Sequence, residues 1–170
     1  MKPLKFVFLP SLLFLIVTNC FSQENSRRSS AVVGVFLGST PCSQGTRPAP
    51  GISVNTDCEL IKWNLTLFQD ESKQTPTTYQ LHYVYGLPKQ GTTGFIGGGK
   101  KVDMEGKWTI IKNSARNSNS IIYRLNDDKT NKTISFLKLN DHLLHLLDSD
   151  GHLMIGSAAW SYTLSSIDHK

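Results

Sequence analysis

Two cysteines, Cys42 and Cys58, are the residues of this chain whose types and spacing best suit chemistry. Paired thiolates are soft ligands and suit Cu(I). In an oxidising compartment the same pair favours a disulfide, which is the expectation preferred here. It would close a loop of 17 residues counting both ends. The chain-entropy argument assigns such a loop ~3 kcal/mol of stabilisation. The histidines are weaker metal candidates. His142 and His145 stand at i, i+3, which converges on a helix but diverges on a strand. A strand is expected there, so the pair should be solvated or each satisfied on its own. His152 and Met154 stand at i, i+2 and share one face of a strand. Imidazole with thioether suits copper, but two ligands are too few for a site.

Other signals read as structure. Asp148 and Asp150 lack the further acids of a calcium loop and fit a turn. Gly97-Gly98-Gly99-Lys100 lacks the spacing of a phosphate loop and fits a hairpin. Neither G-x-S-x-G nor H-E-x-x-H occurs. The expectation is a protein that is not an enzyme.

The elements that position these residues begin after a leader. Lys2 and Lys5 precede an apolar run from Phe6 to Val17, broken by Pro10 and Ser11, and small residues follow. Residues 1–22 therefore read as a secretory signal peptide, too short in its apolar part for a membrane span. Cleavage after Ser22 is favoured. The alternative is acylation of Cys20, the lipidation candidate, which would make the chain a lipoprotein held on the membrane through an N-terminal lipid. Cleavage leaves 148 residues with 16 basic against 13 acidic side chains. That balance is too mild for nucleic acid. Residues 23–30 are polar and read as a disordered tether, and residues 31–170 as one domain.

Within that domain hydrophobicity alternates with period two. Ile61, Trp63, Leu65 and Leu67 oppose Lys62, Asn64 and Thr66. The segments Ala31–Leu37, Cys58–Phe68, Thr78–Tyr85, Val102–Ile111, Ile121–Leu125, Thr133–Leu139, His142–Leu147, His152–Ile155 and Ala158–Ser165 read as strands. Gly34 suggests a bulge or a close approach. Long loops at Gly38–Asp57 and Gly86–Gly99 are rich in Gly and Pro. Eight or nine short strands with no convincing helix predict an all-β fold. Its simplest form is a small antiparallel up-and-down β-barrel, with a sandwich as the alternative. Tyr79, Tyr83, Tyr85, Trp63 and Trp108 should fill its interior, or else line a ligand cavity.

The order of these motifs resembles the NlpE N-terminal-domain family of copper-resistance and envelope-stress lipoproteins. The resemblance rests on Gly34-Val35-Phe36-Leu37-Gly38-Ser39-Thr40-Pro41-Cys42, a second cysteine at Cys58, and the alternating strand Leu60 to Phe68. It continues through Tyr79 to Tyr85, Gly106-Lys107-Trp108-Thr109 and Leu147-Asp148-Ser149-Asp150-Gly151. It implies a lipocalin-like or OB-like barrel in the bacterial envelope, periplasmic, secreted or lipid-anchored. It also implies a role in copper homeostasis or the envelope-stress response, with a copper ion or an envelope protein as partner. The family's cysteines stand as C-x-x-C, whereas fifteen residues separate Cys42 from Cys58. The chain is expected to be a monomer. The alternatives are a binder of a small lipophilic ligand and a structural envelope protein without ligand.

Overall fold

The computed structural model describes residues 29–42, 49–53, 55–113 and 120–167. The expected signal peptide and cleavage point, the lipidation candidate Cys20 and most of the expected tether lie outside the described residues. Eight strands follow in chain order: β1 (Ser30–Pro41), β2 (Leu60–Asp70), β3 (Pro76–Gly86), β4 (Lys100–Asn113), β5 (Ser120–Asp127), β6 (Thr133–Lys138), β7 (Leu143–Leu146) and β8 (Thr163–Ser166). Each pairs antiparallel with the next, and β1 pairs back onto β8 to close a barrel. The helical content among the described residues is one 3-10 turn, Ile96–Gly98. The sandwich alternative is set aside by this closure.

Period-two alternation builds each strand. Ile61, Trp63, Leu65 and Leu67 of β2 face inward and are buried, as are Tyr79, Leu81, Tyr83 and Tyr85 of β3. The register of β1 against β2 shifts between Val32 and Gly34, the bulge that an internal glycine permits. β1 also runs further than its sequence suggests, through Pro41, because its backbone pairs with β2 as far as Leu60. The closing seam is short, with Phe36 opposite Ser166 and Leu37 opposite Ser165. Gly38 allows the approach there, since a Cβ would lie 2.4 Å from Leu164 Cδ2.

The interior holds the large aromatic side chains, with their polar atoms bonded where the chain offers a partner. Trp63 lies tilted against Tyr83 with ring centres 5.5 Å apart, and Trp108 meets Tyr123 edge-on at 4.9 Å. Trp63 Nε1–H donates to Thr40 Oγ1 at 2.8 Å, and Trp108 Nε1–H donates to the Phe68 carbonyl at 2.6 Å. Tyr83 donates its hydroxyl to the Pro50 carbonyl at 2.8 Å, which ties the β1–β2 loop over one end of the barrel. Ala49 and Ile52 of that loop are buried beneath it.

Burial raises the pKa of both Tyr79 and Tyr83 to about 12, with the Asp127 carboxylate adding to the rise at Tyr79 and Tyr85 and Asp127 at Tyr83. Both phenols are therefore neutral in the fold at a pH where the unfolded chain has ionised them. The stabilisation is complete below pH ~10 and is lost as pH climbs toward ~12. Phenolate absorbance at 295 nm should rise in step with loss of the β-sheet circular dichroism in that window. Ionisation of all five tyrosines near pH 10 with the fold intact would contradict it.

Two sequence expectations fail in the last quarter of the chain. His152–Ile155 makes only an isolated bridge, Leu147 to Leu153, and is not a strand. Ala158–Ser165 shortens to β8, Thr163–Ser166. Trp160 leaves the stripe that its spacing predicts with Tyr162 and Leu164: those two are buried, while Trp160 is 45% exposed. The cause is local hydrogen bonding. Asp148 Oδ1 accepts the N–H of Asp150 and of His152, at 2.9 and 2.8 Å, and bends the chain. Ser157 and Trp160 then exchange backbone hydrogen bonds and close a second turn.

Candidate functional site

Cys42 and Cys58 form a disulfide with a Cα–Cα distance of 5.3 Å. It sits where the β1–β2 ladder ends. Pro41 opposite Leu60 is the last strand pair, and Cys42 N–H donates to the Glu59 carbonyl at 3.0 Å just beyond it. Glu59 N–H in turn donates to the Gly86 carbonyl at the end of β3. Both cysteines are buried. In this state their sulfurs offer no thiolate to a metal, and the pair works as a staple that holds the long loop to the barrel rim.

The histidines do not converge. His142 precedes β7, and its Nδ1 lies 3.0 Å from Ser166 Oγ. His145 lies within β7 and is bonded through both ring nitrogens. Nε2 must carry the proton, because its partner at 2.9 Å is the Met154 carbonyl. Nδ1 then accepts from the Thr163 hydroxyl at 2.9 Å, which itself accepts from Ser161. His145 therefore braces the β7–β8 connection, with neither ring nitrogen left for an ion.

The expected sharing of one face by His152 and Met154 is overturned, because the strand that would align them does not form. Met154 packs against the core, while His152 is exposed and turns to Asp148, with Nδ1 3.5 Å from Oδ2. Sequence reading missed the outcome. Among the described residues, Asp148, Asp150 and His152 bring one ligand atom each within 4.8 Å of one another, all three exposed. The signal was an acid–x–acid–x–His spacing spread across a turn. Backbone N–H donation from His152, then from Asp150, holds the Asp148 carboxyl below the usual carboxylate range. Two carboxylates and an imidazole are hard-to-borderline donors, suited to divalent ions and not to Cu(I).

The glycine run behaves as a hairpin. Gly97, Gly98 and Gly99 all take positive φ in the β3–β4 loop, which allows the chain to turn into β4. Lys62 pins this loop from outside, bonding the Thr93 carbonyl and lying 5.7 Å from the centre of the Phe95 ring. No helix among the described residues is long and apolar enough to cross a membrane.

Comparison with known proteins adds one decisive match. A family model described as the NlpE N-terminal domain covers residues 45–157. The chain belongs to the NlpE N-terminal-domain family. Searches of curated proteins and of solved structures gave no match. In this NlpE-family barrel the matched span includes Cys58, His142, His145, the Asp148–His152 turn and Met154, but starts after Cys42. The partner cysteine of the staple thus comes from the segment before the match. NlpE membership makes the chain a protein of the bacterial envelope.

Proposed function

We propose that this protein serves copper homeostasis or the envelope-stress response as a monomeric, exported, non-enzymatic binding module that acts through a metal ion or a protein partner. The observation that carries the reading is the NlpE N-terminal-domain match over residues 45–157. The buried Cys42–Cys58 disulfide refines it. A thiolate pair that is oxidised and covered is unavailable to Cu(I) until reduced, so metal contact in the oxidised protein falls to side chains other than the cysteines. Large aromatic side chains are buried inside the barrel, and the outer surface and the loops are the parts this reading offers to a partner.

Copper challenge of a strain lacking this protein tests the function directly. Loss of copper tolerance or of envelope-stress induction is expected. Wild-type tolerance together with a wild-type stress response sinks the reading. Titration separates the routes. Native protein should show no reactive thiol at Cys42 or Cys58 before reduction, and its Cu(II) affinity should be unchanged by replacing both with serine. A fall in affinity in that variant would return the cysteines to the site.

A further inference from the structure

We propose that the turn between Leu147 and Leu153 binds one divalent transition-metal ion, Cu(II) most tightly, through Asp148, Asp150 and His152. The proposal rests on the reading above that this protein meets a metal ion, and it names where the oxidised protein holds one.

An imidazole and two carboxylates converge there. Asp148, Asp150 and His152 each bring one ligand atom within 4.8 Å of the others. His152 Nδ1 stands 3.5 Å from Asp148 Oδ2, which is long for a hydrogen bond. It is close to the spacing of two ligands on one ion, roughly 3.3 Å for donors about 2.05 Å from a tetrahedral centre. Asp148 Oδ1 is taken up by the N–H groups of Asp150 and His152, which leaves Oδ2 to an ion. A ligating carboxylate fixed in this way has the outer-shell support that metal sites use. The backbone of the turn is closed by its own bonds, with Asp148 N–H donating to the His152 carbonyl and Leu147 bridging to Leu153.

Charge gives a second, independent argument. Among the described residues no lysine or arginine pairs with Asp148 or Asp150. Lys129 pairs with Glu105, Lys138 with Asp141, and Lys62 bonds the Thr93 carbonyl. Lys89 lies in the β3–β4 loop, Lys100 and Lys101 open β4, and none of the three is paired with either carboxylate. Two carboxylates this close repel each other, and a dication between them removes that repulsion.

The donor set selects the ion. Calcium takes about six to eight oxygens, more than this turn offers. Cu(I) prefers sulfur, and both Cys42 and Cys58 are held in the disulfide. Nitrogen and oxygen donors with positions left open to water suit Cu(II), which heads the divalent affinity order.

Titrating Cu(II) into the exported protein with its disulfide intact tests the site. One equivalent should bind, with nitrogen coupling from one imidazole in its electron paramagnetic resonance spectrum. Amide signals of residues 147–153 should broaden before those of β2 and β3. His152→Asn and Asp150→Asn should each weaken binding by roughly tenfold or more, since losing even an outer-shell partner costs about that much. Neither side chain holds the turn, whose bonds come from the backbone and the Asp148 carboxyl, and unchanged circular dichroism verifies folding. His82→Asn, which removes another exposed histidine beside a carboxylate, that of Asp103, should leave the affinity unchanged. Three results overturn the proposal. One is no saturable binding by the oxidised protein. The second is binding that His152→Asn and Asp150→Asn leave intact. The third is displacement of Cu(II) by an equal concentration of Ca(II). Any of these beside a copper-sensitive deletion strain removes the site and leaves the copper reading standing. Tight binding at the turn beside a wild-type deletion strain supports the site and sinks that reading.

Discussion

Replacing Cys42 and Cys58 together by alanine should lower the unfolding free energy by about 3 kcal/mol. The bond closes a loop of 17 residues counting both ends, and losing it returns that loop's freedom to the unfolded chain. The folded state loses as well. Cys42 is fully buried, and the loop it holds carries Ala49, Ile52 and the Pro50 carbonyl that receives the Tyr83 hydroxyl. Urea denaturation of the variant should show an earlier midpoint, and the wild-type protein unfolded in excess reductant should match it. A loss under ~1 kcal/mol would mean that Ile52 and Pro50 hold the loop without help from the staple. The strands of the barrel should keep their pairing in either case, because the bond lies beyond the last β1–β2 pair.

Trp63→Ala should cost more, about 3–5 kcal/mol, the range for deleting a large aromatic from a packed core. The indole touches Tyr83 on one side and satisfies Thr40 on the other. Thr40 is itself fully buried, so its hydroxyl loses its donor in a place water does not reach. Trp63→Phe separates the two contributions, since it restores ring volume and leaves Thr40 without the indole N–H. Its cost should fall to roughly 1–3 kcal/mol by that argument. Against a total stability of about 5–15 kcal/mol for a domain of this kind, the alanine variant should be partly unfolded or sharply sensitised to denaturant. Equal midpoints for Trp63→Ala and wild type would show that the indole is not part of the core.

Both effects arise in features that the residue pattern made legible. An even pair of cysteines behind a leader pointed to a disulfide, and it is formed. Alternation in residues 60–68 and 78–85 marked which side chains of β2 and β3 turn inward, and those stripes are buried. Strand ends were less legible. Cys58 and Glu59 precede β2, and β1 runs past Gly38 to Pro41, because a strand ends where its neighbour's hydrogen bonds end and not where its own composition changes.

Sequence by itself determined the period-two stripes, the turn chemistry and the family, because each is written in residues near one another along the chain. Tertiary structure alone decided the closure of β1 onto β8 and the bracing of Met154 by His145. Closure joins residues about 130 positions apart, and no local pattern encodes that distance. The β7–β8 connection departs from that rule, because contacts two to four residues apart decide it. Its alternation reads as a strand, yet side-chain and backbone hydrogen bonds at Asp148 and Ser157 turn the chain before any neighbour can pair with it.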